Sequence, residues 1–163
     1  MSDKIIPCIW YDAGQARAAA EFYVSLGLPD SRVDEVQASP ADNPSSPEGA
    51  ELVVQFTLAG RPYLALNGGP QFPQTEAVSF MILTDDQAET DRLWDAIVSN
   101  GGQDSMCGWC KDRWGVSWQI TPRRLMAFHD DPDPARARAA FGAMMNMRKI
   151  DIAALEAAAD AAS

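Results

Sequence analysis

Hydrophobic and polar positions alternate along this chain with two different periods, and the switches between them predict the elements. Residues 4–10 form a short apolar run, which predicts a buried strand. Asp12 follows as a helix cap with Gln15 three residues on, in capping-box spacing. Ala16, Ala19, Ala20, Tyr23 and Leu26 then make an apolar stripe at helical spacing, stopped by Gly27 and Pro29. Residues 31–38 alternate as a strand does. Residues 39–49 are rich in Pro, Ser, Asn and Asp and predict a loop. Two strands, Glu51–Leu58 and 62–66, are joined by Ala59-Gly60-Arg61 as a hairpin. Residues 67–76, opening on Asn67-Gly-Gly-Pro70, form a linker.

The pattern then restarts. Residues 77–83 predict an apolar strand. Thr84 is expected to cap a second helix with Gln87 at the capping-box position, and that helix ends at Asn100-Gly-Gly102. A short strand at 103–106 leads into a tryptophan-rich hairpin, 107–122. The order strand–helix–strand–strand–strand thus occurs twice, which predicts an internal duplication carried by element order rather than by residue identity. The remainder is helical. Thr121-Pro122 and Asp133-Pro134 are helix starts, and helices are expected over 135–147 and 151–162. They have too little apolar area to stand alone and must dock elsewhere.

This predicts an α+β protein with a paired domain over 1–122, in modules 4–68 and 77–121, and a helical C-terminal extension over 123–163. The chain has 163 residues and a formal net charge of −10, from 13 basic and 23 acidic side chains. Nucleic acid is an unsuitable partner for that charge, because phosphate binding needs an excess of Lys and Arg. Only residues 111–149 run the other way, with eight Lys/Arg against four Asp/Glu. The N-terminus lacks a basic start followed by an apolar core, and no apolar run approaches a membrane span. Three cysteines are not a secreted disulfide pattern, so cytoplasm is the expected location.

The candidate chemistry is concentrated in Cys107-Gly-Trp-Cys-Lys-Asp-Arg-Trp-Gly-Val-Ser-Trp-Gln-Ile-Thr-Pro122. Cys107 and Cys110 have the spacing of a thiol–disulfide couple. Such couples rely on a helix N-terminus to favour the thiolate, and the surroundings here read as β. The alternative is a hairpin that closes a ligand-binding cup. Strand alternation sets Ser117 and Gln119 on one face, with Val116, Trp118 and Ile120 on the other. The only histidine, His129, stands beside Asp130-Asp131 and reads as a surface residue. Lys111-Asp112-Arg113 reads as a turn with solvated charges, the alternative being that it gives the cleft mouth a cation.

Pro7-Cys-Ile-Trp-Tyr-Asp12, Tyr63-Leu-Ala-Leu-Asn-Gly-Gly-Pro70, Ala77-Val-Ser-Phe80, Trp94-Asp95, Lys111-Asp-Arg-Trp-Gly-Val-Ser-Trp-Gln-Ile120 and Lys149-Ile-Asp-Ile-Ala-Ala-Leu-Glu156 together resemble the PhnB-like branch of the vicinal oxygen chelate (glyoxalase-like) superfamily. Members of that branch often carry a 3-demethylubiquinone methyltransferase label. The resemblance implies two βαβββ modules whose sheets form a cleft, and a homodimer. Active members of the superfamily hold a divalent metal in that cleft through one side chain from each of four strands. Carried over by position, those places fall on Cys8, on Tyr63 (less certainly Ala65), on Ser79 and on Gln119. Trp10 shares the face of Cys8. This set lacks the imidazoles and carboxylates that such metals need, so no cofactor is expected. The expected function is binding of a small organic molecule in a metal-free cleft between the modules, lined by Cys8, Trp10, Tyr63, Ser79 and Gln119. A metal-dependent glyoxalase- or dioxygenase-like enzyme with an atypical site is one alternative, and a thiol oxidoreductase using Cys107 and Cys110 is another. Methyl transfer is not expected, because no strand–Gly-rich–helix unit is present.

Overall fold

A computed structural model describes residues 4–162, so residues 1–3 and 163 of the expected segments lie outside it. The chain divides into two compact units, residues 1–74 and 75–163. In the first unit, β1 (Cys8–Tyr11), α1 (Ala16–Ser25), β2 (Arg32–Ala38), β3 (Glu51–Leu58) and β4 (Arg61–Asn67) follow in order. In the second, β5 (Ser79–Thr84), α2 (Gln87–Ser99), β6 (Gln103–Asp104), β7 (Trp109–Lys111) and β8 (Ser117–Pro122) repeat that order. Helices α3 (Arg123–His129), α4 (Pro134–Met144) and α5 (Ile152–Asp160) complete the second unit.

Each unit contains one four-stranded sheet, ordered β1-β4-β3-β2 and β5-β8-β7-β6. The first strand of each unit pairs in parallel with its last, and the other pairings are antiparallel. The repeated element order is therefore a repeated topology. β1 starts at Cys8 rather than at residue 4, directly after Pro7, which has no N–H to give to a ladder.

Strand alternation decides which side chains meet each helix. In the first unit, Ile9, Tyr11, Val54, Phe56 and Ala65 are buried together with Ala16, Ala19, Ala20 and Tyr23 of α1. The alanines let the helix approach closely, and the hydroxyls of Tyr11 and Tyr23 hydrogen-bond at 2.9 Å inside the core. In the second unit, Leu93, Trp94 and Ile97 of α2 are buried with Cys110, Trp118 and Ile120.

The helix starts differ from the sequence expectation. Gln15, not Asp12, is the N-cap of α1 and makes no side-chain cap. Instead Asn67, at the end of β4, accepts the Ala16 N–H at 2.9 Å and donates to the Glu51 carbonyl. A residue 51 positions away thus satisfies an orphan helix donor. In α2 the cap is Asp86, whose carboxylate accepts the Glu89 N–H. Thr84 is buried and hydrogen-bonds Thr90 instead. Asp133 and Asp151 cap α4 and α5, whereas Thr121 lies inside β8 and Pro122 ends that strand directly before α3.

The extension docks through its backbone as well as its side chains. Leu125, Phe128, Ala140, Met144, Ile150, Leu155 and Ala159 form one apolar cluster. The N–H groups of Cys107 and Gly108 donate to the carbonyls of Met147 and Arg148. Gln87, expected to cap its own helix, donates to the Ile150 carbonyl and accepts the Ile152 N–H.

Candidate functional site

The helices cover one face of each sheet. On the helix-free face of the second sheet, parallel pairing sets Ser79 beside Ser117 and Met81 beside Gln119. Antiparallel pairing sets Trp109 beside Gln119 and Lys111 beside Ser117. Ser79 and Gln119, named from the sequence, are brought together: the Gln119 amide donates to the Ser79 hydroxyl at 2.9 Å.

A cavity of about 470 Å³ opens on this unit, walled by residues 103–107 and by Glu76, Trp109, Cys110, Lys111 and Ser117. The volume lies within the usual range for small-molecule sites. Lys111 pairs with Glu76, and Asp104 pairs with Arg148. The Lys111 ammonium holds the Glu76 carboxyl below its ordinary range. Ser117 is only 1% exposed, and its hydroxyl has no hydrogen-bond partner among the described residues. A buried polar group without a partner costs about 1–3 kcal/mol, so Ser117 is a locally unfavourable feature of the hairpin. Sequence reasoning set Ser117 on the same face as Gln119 but had no signal that it would be both buried and unpartnered.

The hairpin around the cavity is shaped by Asp112. Expected in a solvated turn, it is 3% exposed and accepts the N–H groups of Trp114 and Val116 and the indole N–H of Trp118, at 2.9–3.0 Å. A tight turn leaves backbone donors pointing inward, and one carboxylate satisfies them there. Gly108 precedes β7 with φ +81°, and an added Cβ would meet the Ile120 carbonyl at 2.9 Å, so no larger residue fits.

In the first unit, Cys8 and Trp10 lie on the helix-free face with Leu64 and Leu66, their parallel partners. Tyr63 does not join them. It stacks on Phe56 at 5.2 Å, on the face that α1 covers, because the register pairs Cys8 with Leu64 rather than with Tyr63. Ala65 is fully buried on that same covered face. Trp10 is committed to its own turn. Its indole donates to the Gly69 carbonyl at 2.7 Å and meets Phe72 edge-on at 4.9 Å. A Cβ at Gly68 would sit 2.2 Å from the Trp10 ring, which explains the glycine at that position.

The family model described as 3-demethylubiquinone-9 3-methyltransferase matches residues 3–121, well over half of the chain. The chain is 25% identical to a putative 3-demethylubiquinone-9 3-methyltransferase, PhnB protein, from Bacillus cereus, with a TM-score of 0.64. The match covers 74% of this chain and 99% of that one. This chain is a PhnB-like member of the vicinal oxygen chelate superfamily. Protein PA1353 from Pseudomonas aeruginosa shares the fold of this PhnB-like chain at 20% identity and a TM-score of 0.58, over 74% of this chain and 98% of its own. Among curated proteins none matches the sequence.

Active members of the superfamily hold a metal at these four positions, and the residues present here do not fit one. Ser79 and Gln119 bind each other, and the strand partners of Cys8 and Trp10 are leucines. Among the described residues of this PhnB-like protein, no group of three or more His, Cys, Asp and Glu side chains could hold a metal ion. The thiols fit a redox couple no better. Cys110 is 1% exposed, and burial, with the nearby charges of Asp112 and Asp104, pushes its thiol up to about 12. Redox couples depend on the opposite shift. Cys107 lies in the preceding turn with φ 60°, its sulfur 3.7 Å from that of Met145. Among the described residues no helix is long and apolar enough to cross a membrane.

Proposed function

We propose that this PhnB-like protein binds a small organic molecule on the helix-free face of its second sheet, without a metal. The observation that carries this reading is the cavity of about 470 Å³ walled by Trp109, Lys111 and Ser117. Trp109 supplies aromatic surface, and the Gln119–Ser79 pair presents polar groups on the adjoining strands. Concave, partly apolar sites with a few fixed polar groups are the usual form of small-molecule recognition. Methyl transfer is not part of the proposal. Gly68 and Gly69 follow β4, and no helix intervenes before β5, so a phosphate- or nucleotide-cradling strand–glycine–helix turn is missing there. The protein is also proposed to form a homodimer, and a monomer alone in sedimentation velocity overturns that.

Titration of an aromatic fragment library into isotope-labelled protein tests the binding reading. Saturable amide and indole shifts are expected at Ser79, Trp109, Ser117 and Gln119. Shifts confined to other residues, or no saturable shift, would sink it. Elemental mass spectrometry after incubation with Mn, Fe, Ni and Zn salts tests the metal-free part. Metal near one ion per chain after desalting would revive electrophilic catalysis by a bound metal.

A further inference from the structure

We infer that a second cavity, in the first unit, binds a small organic carboxylate, with the anionic group between Lys4 and Arg61 and the apolar body against Tyr63 and the neighbouring prolines. This cavity has a volume of about 490 Å³ and is lined by Lys4, Ile5, Pro7, Arg61, Pro62 and Tyr63. It shares no residue with the cavity of the second unit, so the inference stands apart from the binding reading above. The sequence explains why the chain leaves a space there. The parallel ladder of β1 and β4 begins at the pair Cys8–Leu64, with the Leu64 N–H donating to the Pro7 carbonyl at 2.9 Å. The next rung towards the N-terminus would need the N–H groups of Pro62 and Pro7, and proline has none. Residues 4–6 therefore lie beside the start of β4 without joining it.

Charge sets this cavity apart from the rest of the surface. Most cations of the chain are matched to a carboxylate, as Arg17 is to Glu51, Arg123 to Asp85 and Arg148 to Asp104. Lys4 and Arg61 have no carboxylate partner among the described residues, and no acid lines the cavity. Two unmatched cations at one cavity make a local positive field in a chain whose net charge is −10. Both are exposed, so a ligand reaches them and gives up only part of its hydration. A guanidinium presents a planar fork of donors that fits the two oxygens of a carboxylate, and an ammonium adds a point charge beside it. Arg61 and Tyr63 are two positions apart on β4 and share a face. Burial pushes the Tyr63 phenol up and the Arg61 charge pulls it back, so guanidinium and ring are close neighbours. The half-buried ring, with Pro7 and Pro62, offers apolar surface to the rest of the ligand.

Phenylacetate, its neutral isostere phenylacetamide, and acetate separate the possibilities. Each is titrated into the full chain at low ionic strength and followed at the amides of Ile5, Arg61, Tyr63 and Leu64 by heteronuclear NMR. Phenylacetate is expected to shift these amides saturably and to bind about three- to tenfold tighter than phenylacetamide, the scale of two exposed ion pairs. Acetate is expected to bind more weakly than phenylacetate, because it leaves the apolar wall uncovered. Arg61→Gln and Lys4→Gln should each remove part of the preference for the carboxylate and leave phenylacetamide binding unchanged. Added salt should act in the same direction. Both side chains are exposed, so the variants keep the fold. Equal affinity for acid and amide, a preference that survives both substitutions, or acetate binding as tightly as phenylacetate overturns the ligand class. Shifts confined to Trp109, Ser117 and Gln119 overturn this site and support the binding reading instead. The absence of any saturable shift with phenylacetate overturns this site and leaves the cavity of the second unit to its own fragment titration.

Discussion

Asp112 and Ser117 are two buried polar residues of one hairpin with opposite local balances. Asp112 is surrounded by donors, whereas the Ser117 hydroxyl meets neither donor nor acceptor among the described residues. Removing an unpartnered buried hydroxyl relieves a desolvation cost. Ser117→Ala should therefore raise the urea stability of the ligand-free protein by about 1 kcal/mol. An unchanged or lower midpoint at constant slope would show that the hydroxyl is already satisfied. Cys110 sets a second residue-scale expectation. Its thiol titrates near 12 in the folded chain against an ordinary 9.0, so the folded value is the raised one. Its stabilising contribution is then complete below pH 9 and is lost progressively as the pH rises towards 12. The difference corresponds to a loss on the order of 4 kcal/mol across that window. Cys110→Ala should flatten the fall of stability between pH 9 and 12 relative to the native chain, as read by denaturant midpoints at stepped pH. Parallel slopes for the two proteins would contradict the shift.

At the scale of elements, the turn of the β7–β8 hairpin is held by one carboxylate. The Asp112 side chain gathers two backbone donors of the turn and ties them to the Trp118 indole on β8. Asp112→Ala leaves buried donors unpaired. A loss of about 3 kcal/mol or more is expected in chemical denaturation, with Asp112→Asn recovering part of it. A cost near zero for the alanine variant would mean that water replaces the carboxylate without penalty. Element existence and order were legible because period-2 and period-3.6 patterns are local properties of the sequence. The caps were less so. Asp12–Gln15 and Thr84–Gln87 both have capping-box spacing, yet the work is done by Asn67 and Asp86, and Gln87 bonds to the segment 150–152 instead. A spacing rule cannot foresee an acceptor that arrives from another strand.

At the scale of the whole molecule, the second module and the C-terminal helices are joined by backbone hydrogen bonds from Cys107 and Gly108 and by the side chain of Gln87. Unfolding of residues 75–163 as one cooperative unit is the expected outcome. Hydrogen exchange in rising denaturant should give amides of α5 and β8 the same opening free energy. Earlier exchange of α3–α5 would mark the extension as a separate unit. The sequence by itself determined the element order, its duplication, the helix faces and the family, because these rest on residue periodicity and on motifs that survive without neighbours. It also put Ser79 and Gln119 forward as candidates, and strand pairing brings these two into contact. Only the tertiary structure decided which neighbours share a face. The parallel register took Tyr63 away from Cys8, the 67–69 turn occupied Trp10, and the packing of β7 against β8 buried the Ser117 hydroxyl without a partner among the described residues. Strand register and burial are set by pairing between residues distant in the chain, and a shift of one position reverses every face.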